Sequence, residues 1–286
     1  MTLIQVLILG IIQGLAELLP VSSSAHVIAA EKLMGLDPSR PEMTLLLVML
    51  HTGTMFAVIV YFWKRWKLAI TTAEGGWKFF LRALLIATLI TGVVGLALKT
   101  IIEKFFMGGH DKAEIELLFS NMQLVGAALI AAGAVILLSS RIKTRVTAGP
   151  ISNRQSAIIG AVQGLCLPFR GFSRSGATIS TAMLAGVEKF KAEDFSFALA
   201  VILTPPVVAR EFLRLMKHQR ENLISNGGAP FSINFESLTP SLLGMLFSFV
   251  AGLLALRWLS SWIAADRWQW FGYYCLVAGA SIALFL

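Results

Sequence analysis

The chain has 286 residues, of which 56% are hydrophobic and 14% are charged, and its formal net charge is +8. Soluble domains carry about 25% charged residues, so this composition excludes a soluble globular protein and indicates an integral membrane protein. Lys and Arg of membrane proteins collect in cytoplasmic loops, and for that reason the positive charge does not indicate a nucleic-acid partner.

Six segments are apolar over the roughly 17–25 residues that a spanning helix needs, and two further apolar segments are interrupted by Pro, Gly and Ser. In chain order, the predicted elements are the broken segment 3–34, spans near 43–62, 83–99 and 121–140, the broken segment 156–187, and spans near 195–213, 239–257 and 268–286. Each half of a broken segment is too short to cross the membrane. Both segments are therefore predicted to be re-entrant hairpins of two half-helices.

The order of these elements predicts an inverted repeat within a single membrane domain, 1–286. One unit covers about 1–140 and the other about 155–286, and each is a hairpin followed by three spans. Because three is an odd number, the second unit enters from the opposite side, and the two hairpin tips are expected to meet near mid-depth. The predicted fold class is an all-α polytopic membrane protein with six spans and two re-entrant hairpins.

The distribution of positive charge predicts the orientation. The loops that contain Lys64, Arg65 and Lys67 carry more Lys and Arg in total than the loops on the other side. The positive-inside rule places them in the cytoplasm. Both termini and the opening of the first hairpin are then expected on the outer side of the membrane.

The two broken segments are related in sequence. Both begin with Gly-x-x-Gln-Gly-Leu, at Gly10 and at Gly160. Both end in a polar cluster; the first holds Ser22, Ser23 and Ser24, and the second holds Ser173, Arg174, Ser175 and Thr178. Ionisable groups within a membrane are functional candidates by default, and a duplicated, interrupted apolar segment indicates where the site of such a protein lies.

The first hairpin combines acidic, hydroxyl and imidazole groups. Gln13 and Glu17 are four residues apart and share one helix face. Pro20 ends this half-helix, and the serines 22–24 can accept hydrogen bonds from the free amides that open the next one. His26 lies in the first turn of that second half-helix. The N-terminus of a half-helix within a membrane is predicted to bind an anion.

The second hairpin adds a guanidinium. Arg174 follows Ser173 and precedes Gly176, a small residue that lets a ligand approach the backbone. The planar fork of an arginine side chain matches phosphate oxygens. A hydroxyl, an imidazole, a carboxylate and a guanidinium at two half-helix N-termini together predict a site for phosphoryl transfer.

Simpler structural interpretations are open for several of these residues. The serines could merely cap helices, and Glu17 could form a structural ion pair with Arg174. Arg170 could bind phosphate or extend to the membrane interface. His51, in the first span, is interpreted as a polar residue that packs helices rather than as a catalyst.

Three motifs resemble those of the bacterial undecaprenyl-diphosphate phosphatase family, the bacitracin-resistance type. They are Gln13-x-x-x-Glu17, Pro20-Val-Ser-Ser-Ser-Ala-His26 and Gly171-Phe-Ser-Arg-Ser-Gly-Ala-Thr178. The resemblance extends over nearly the whole chain, including 193–200. It implies a hydrolase of the bacterial inner membrane that removes the terminal phosphate of undecaprenyl diphosphate. The product is the lipid carrier that is reused for peptidoglycan synthesis, and the implied site faces the periplasm.

The resemblance also implies roles for residues. Ser23 matches the proposed nucleophile and His26 the essential histidine, with Glu17 and Arg174 as further catalytic residues. The expected phosphate-binding residues are Ser22, Ser24, Ser173, Arg174, Ser175, Thr178 and Arg170. The family depends on a divalent cation, Mg²⁺ or Ca²⁺, which Glu17 and Gln13 would hold together with the substrate.

Two positions depart from the family pattern. Gln13 stands where other members have Glu, which removes one charge from the expected metal site. Arg170 stands where the family usually has Pro, which adds a phosphate contact or changes the backbone of the hairpin tip.

Several alternatives remain at this stage. Ser23 could attack phosphorus with His26 or Glu17 taking its proton, or Glu17 or His26 could activate a water directly. A lipid-phosphate flippase could use the same anion site. A lipid phosphatase with a histidine nucleophile is disfavoured, because the next histidine after Arg174 is the distant His218. A monomer and a homodimer are both compatible with the sequence, and the lipid chain length is not specified.

Overall fold

The computed structural model describes residues 1–37, 41–71, 76–105, 121–142, 146–147, 149–226 and 235–285, and every regular element in these ranges is an α-helix. In chain order the helices are α1 (Leu3–Leu18), α2 (Ser23–Leu33), α3 (Pro41–Thr71), α4 (Gly76–Phe105), α5 (Met122–Arg141), α6 (Asn153–Cys166), α7 (Arg174–Leu184), α8 (Lys189–Asn226), α9 (Phe235–Ala264) and α10 (Gln269–Phe285).

Helices α1 and α6, which open the two predicted units, begin in the same way. At α1, Thr2 Oγ1 accepts from the Gln5 amide at 3.3 Å, and Gln5 Oε1 accepts from the Thr2 amide at 2.8 Å. At α6, Ser152 and Gln155 form the same reciprocal pair at 3.2 and 2.9 Å. Such a capping box satisfies two amides that the first turn of a helix leaves unpaired.

Five helices are long and apolar enough to cross a membrane, over Met43–Leu68, Gly76–Lys104, Met122–Arg141, Lys189–Arg210 and Leu238–Ala264. These five confirm the predicted spans from 43–62 to 239–257 and the polytopic membrane class. The sixth predicted span, near 268–286, corresponds to the shorter apolar helix α10 of 17 residues.

The two broken segments are each a pair of helices with an interruption, as predicted. Leu19 adopts an extended conformation before Pro20, with φ −69° and ψ 123°, and thereby ends α1. In the second segment, Gly171 has a φ of +102°. A side chain would be strained in that conformation and would also lie against the carbonyl of Val125 on α5.

Glycines let the hairpin helices approach the long helices closely. Helix α1 packs against α9, and α6 packs against α4. A Cβ on Gly14 would lie 2.5 Å from the Cβ of Ala251 on α9, and a Cβ on Gly160 would lie 2.3 Å from the carbonyl oxygen of Ala87 on α4. Because side chains cannot occupy such distances, these contacts fix each first half-helix against a helix of the other predicted unit.

Helix α7 lies inside the protein. Every residue from Ser175 to Ala182 is buried, and α7 packs against α5, α6 and α8. A backbone that is interrupted at membrane depth is tolerated only where protein surrounds it. The packing around α7 provides this condition for the second interruption.

Candidate functional site

The interruptions of the two hairpins lie next to each other. Ser175 Oγ on α7 is 3.5 Å from the carbonyl oxygen of Leu19, and Cys275 Sγ on α10 donates to the carbonyl of Pro20 at 3.4 Å. A Cβ on Gly176 would lie 3.3 Å from the same Pro20 oxygen. These contacts show that the two interruptions are adjacent, as the sequence analysis expected of the two tips; their depth in a membrane stays a prediction.

Glu17 is the centre of the polar cluster that forms at this junction. Its Oε1 accepts from Arg174 Nη2 at 3.0 Å. Its Oε2 accepts from the Ser23 hydroxyl at 2.5 Å and from Gln13 Nε2 at 3.2 Å. The fold therefore gathers three other predicted site residues around the Glu17 carboxylate, although Arg174 is 157 positions from Glu17 in the chain.

The charges in this cluster are opposite and largely shielded from solvent. The side chain of Glu17 is 17% exposed and that of Arg174 is 21% exposed. The second terminal nitrogen of the guanidinium, Nη1, is buried without a hydrogen-bond partner among the described residues. An unpaired buried donor costs roughly 1–3 kcal/mol. A guanidinium with one unused donor can donate a hydrogen bond to a further anion, such as a phosphate oxygen.

His26 lies at the start of α2 but makes its hydrogen bonds away from Glu17. Its Nδ1 is 2.8 Å from the carbonyl oxygen of Ser22, and its Nε2 is 2.7 Å from the hydroxyl of Tyr274 on α10. The hydroxyl of Ser23 is bonded to Glu17, so the carboxylate is the base that the structure presents to this serine.

The predicted phosphate-binding hydroxyls have different surroundings. Ser173 caps α7, because its Oγ accepts from the Gly176 amide at 3.2 Å, whereas Ser22 precedes α2 without a side-chain cap bond. Thr178 is buried; its hydroxyl lies 2.8 Å from the Arg174 carbonyl oxygen and 2.6 Å from Ser196 Oγ.

The two remaining predicted residues lie at the edge of the junction. Ser24 is half-buried in the first turn of α2. Arg170 is exposed and acts electrostatically on Glu31, a buried carboxyl group of α2.

His51 also belongs to this cluster, although the sequence analysis interpreted it as a packing residue. Its Nδ1 is 2.9 Å from Gln13 Nε2 and 3.7 Å from Glu17 Oε2. The available signal was its position, because an ionisable residue within a span is a functional candidate by default. Tyr274 was also missed, and its place among other aromatic residues of the last predicted span offered no comparable signal.

The donor set suits a cation that the substrate shares. Among the described residues, no group of three or more His, Cys, Asp or Glu is arranged to hold a metal ion. Glu17 brings a carboxylate, and Gln13 brings a neighbouring amide. Mg²⁺ commonly binds through one or two carboxylates and completes its coordination with water and substrate phosphates. These residues do not enclose a cation by themselves, so a cation at this place would need ligands from a bound phosphate as well.

Comparisons with known proteins agree on one family. The sequence profile described as "Bacitracin resistance protein BacA" matches residues 6–281. A relative from Acinetobacter baylyi, named undecaprenyl-diphosphatase 2, is 58% identical over 279 residues, which cover 96% of this chain and 95% of the relative. A relative from Christiangramia forsetii, named undecaprenyl-diphosphatase, is 33% identical over 293 residues, with 100% and 98% coverage. Another of that name, from Rhodopirellula baltica, is 31% identical over 284 residues, with 99% and 97% coverage.

Proposed function

Because this chain belongs to the bacitracin resistance protein BacA family, we propose that it hydrolyses undecaprenyl diphosphate to undecaprenyl phosphate and inorganic phosphate. The names of its relatives support this substrate. The structural observation that carries the proposal is the convergence of Ser23, Glu17 and Arg174 from three helices, α1, α2 and α7, of the two broken segments. A nucleophile in contact with a base, beside a phosphate-binding guanidinium, is the arrangement that phosphoryl transfer needs.

Ser23 is the nucleophile in this proposal. Its hydroxyl already donates to Glu17 Oε2 at 2.5 Å, so the carboxylate takes the proton as Ser23 Oγ attacks the terminal phosphorus. The anhydride bond breaks, undecaprenyl phosphate leaves, and the terminal phosphoryl group becomes bonded to the serine oxygen. Water then attacks this phosphoserine and releases inorganic phosphate, which restores the hydroxyl.

Arg174 links substrate binding to the strength of this base. In the structure its Nη2 holds Glu17 Oε1 at 3.0 Å, and a neighbouring cation makes a carboxylate a weaker base. A terminal phosphate that attracts the guanidinium competes with Glu17 for it. Glu17 then loses part of its positive partner at the moment when it must accept the proton of Ser23.

The phosphate is held by Arg174 and by the first amides of two helices. Helix α2 begins at Ser23 and α7 begins at Arg174, and a helix N-terminus presents free N–H groups and a partial positive charge to an anion. Ser22, Ser24 and Arg170 border this region and can add contacts to the diphosphate. Ser173, Ser175 and Thr178 stabilise the α7 terminus through their bonds to protein groups.

A divalent cation, Mg²⁺ or Ca²⁺, is part of the proposal. Glu17 and the amide of Gln13 would hold it together with phosphate oxygens. When bound, the cation supplies charge neutralisation for the diphosphate and its leaving group.

The proposed membrane topology is the inverted repeat of two re-entrant hairpins and six spans. Two features support it: the equivalent packing of α1 on α9 and of α6 on α4, and the two adjacent helix interruptions. The excess of Lys and Arg in one set of loops supports a site that opens to the periplasmic side of the inner membrane. The enzyme would thereby recycle the lipid carrier for peptidoglycan synthesis and confer bacitracin resistance. The flippase alternative receives no support from the comparisons.

Phosphate release tests the proposal. Purified protein in detergent should release inorganic phosphate from undecaprenyl diphosphate when Mg²⁺ or Ca²⁺ is present, and EDTA should stop the release. Arg174→Ala should lower the rate on the order of 10³-fold, as loss of a transition-state arginine does. Arg154→Ala, which removes an exposed arginine at the start of α6, is the matched control and should retain the rate. Folded protein that binds the lipid and releases no phosphate would contradict hydrolysis and favour transport.

A further inference from the structure

His26 and Tyr274 form a pair that the proposed mechanism does not use. They lie on α2 and α10, 248 positions apart, and His26 Nε2 is 2.7 Å from the Tyr274 hydroxyl. Their rings are stacked, with centroids 5.7 Å apart and an interplanar angle of 15°. The contact therefore joins the first predicted repeat unit to the last helix of the second.

The partners of His26 determine its tautomer. A backbone carbonyl can only accept a hydrogen bond, so the Ser22 oxygen at 2.8 Å requires the proton on Nδ1. In a neutral imidazole, Nε2 then carries the lone pair, and the Tyr274 hydroxyl must be the donor to it. Ser22 has a φ of +67°, a conformation that non-glycine residues adopt infrequently. The Ser22 carbonyl and the Tyr274 hydroxyl thus form hydrogen bonds with the two nitrogens of the His26 imidazole.

We propose that Tyr274 is a positioning residue of the active site: its hydroxyl donates to Nε2 and fixes the orientation of the His26 ring, whose tautomer the Ser22 carbonyl determines. In this tautomer Nε2 can accept the proton of the water that attacks the phosphoserine, a step to which the proposed mechanism assigns no base. Tyr274 is 47% exposed on α10, whereas His26 is only partly exposed.

A pair of phenylalanine variants separates positioning from general packing. Tyr274→Phe removes the hydroxyl and keeps the stacked ring. Tyr273→Phe makes the same change at the neighbouring residue, which is 41% exposed and packs edge-on against Trp270. Tyr274→Phe should lower kcat by about 10-fold and leave KM unchanged, as loss of a residue that orients a catalytic group does. Tyr273→Phe should change neither constant.

A double-mutant cycle tests whether Tyr274 acts through His26. In a His26→Ala background, Tyr274→Phe should cause no further loss of kcat, because the group that it positions is gone. Equal losses in the wild-type and His26→Ala backgrounds would overturn the proposal, and so would equal kcat values for Tyr274→Phe and Tyr273→Phe.

The kinetic tests of Tyr274 rest on the proposed function, but an NMR measurement of His26 does not. In ¹⁵N-histidine NMR spectra of the purified protein, the signal that His26→Gln removes should show a proton on Nδ1 and a hydrogen-bonded Nε2. Tyr274→Phe should shift the Nε2 resonance, and Tyr273→Phe should not. An Nε2 resonance that Tyr274→Phe leaves unchanged overturns the proposal even where phosphate release proceeds. Wild-type protein that releases no phosphate contradicts the proposed function alone.

Discussion

Two ionic clusters lie within the helix bundle, and they differ in how completely the arginine of each is paired. The site cluster consists of Gln13, Glu17, Ser23 and Arg174. The clamp cluster consists of Arg65 on α3, Glu193 and Asp194 on α8, and Ser260 on α9. Both combine an arginine with carboxylates that are largely removed from solvent.

In the clamp cluster, the arginine uses both of its terminal nitrogens. Arg65 Nη1 bonds Glu193 Oε2 at 3.0 Å, and Nη2 donates to the Phe190 carbonyl at 3.2 Å. Nε forms an ion pair with Asp194 Oδ1 at 2.9 Å, and the guanidinium lies 5.1 Å from the ring centre of Phe62. Glu193 is fully buried. Together with the Ser260 hydroxyl on Glu193 Oε1, these contacts join α3, α8 and α9 and leave Arg65 little capacity for a ligand.

In the site cluster, the arginine uses one terminal nitrogen. Arg174 Nη2 bonds Glu17, whereas Nη1 is buried without a hydrogen-bond partner among the described residues. Unsatisfied buried groups are expensive and are found mainly where function requires them. Within the described part of the chain, the clamp cluster also has one buried oxygen without a hydrogen bond, Asp194 Oδ1, so the difference lies in the arginines: Arg174 keeps a spare donor, and both terminal nitrogens of Arg65 are used.

The largest effect is expected for the nucleophile of the site cluster. Ser23→Ala should lower kcat on the order of 10⁴- to 10⁶-fold, the range seen when a catalytic serine or its partners are removed. The midpoint of thermal unfolding should stay near that of the wild type. Ser140→Ala is the control, because its hydroxyl bonds Leu137 within α5. Retained activity in Ser23→Ala would exclude a phosphoserine and leave a water activated by Glu17 as the mechanism.

The clamp cluster should respond in the opposite way. Arg65→Ala leaves the buried carboxylate of Glu193 without its positive partner, which costs about 3–5 kcal/mol of folding free energy. Thermal unfolding should shift strongly, while the folded fraction keeps the kcat of the wild type. Lys64→Ala, at the exposed neighbouring position, should leave the midpoint unchanged. A stable Arg65→Ala protein with a low kcat would place this cluster in the catalytic machinery and remove the distinction.

The sequence predicted the site cluster better than the clamp cluster. Motifs placed Glu17, Ser23 and Arg174 together, since the duplicated interruptions determine where polar groups can meet. Hydropathy located five spans but not the full length of α8, Lys189–Asn226, because a helix continues in polar sequence where an apolar window ends. The contact of Arg65 with Glu193 depends on how α3 packs against α8, and no local pattern contains that information.

His51 illustrates the same limit inside the site. It lies 38 positions from Gln13 in the chain, and its role follows from the packing of α3 against α1. A motif search finds residues that share one segment, so the sequence analysis interpreted His51 as a packing residue. The family assignment was confirmed by the profile match over residues 6–281 as a whole, which does not depend on a role for any single residue.

A smaller effect is expected for His51. His51→Phe keeps the ring volume and removes the partner of Gln13 Nε2, which is 2.9 Å away. Residues that orient a functional group typically contribute about 10- to 100-fold to activity, so phosphate release should slow by about 10-fold with little change in stability. Thr52→Ala, whose hydroxyl bonds the Val48 carbonyl within α3, is the control. An unchanged rate would return His51 to a packing role.

The smallest expected effect is at the edge of the clamp cluster. Ser260 donates to Glu193 Oε1 at 2.6 Å, and a hydrogen bond to a charged group contributes roughly 1.5–3 kcal/mol. Ser260→Ala should therefore lower the free energy of unfolding by about 1.5 kcal/mol and leave phosphate release unchanged, whereas Ser261→Ala, at an exposed position, should change neither. Since Arg65 remains on the other oxygen of Glu193, the carboxylate keeps its charge partner and the three helices stay joined. A loss of phosphate release in Ser260→Ala at full stability would mean that the two clusters are coupled, and that paired donors alone do not make a cluster structural.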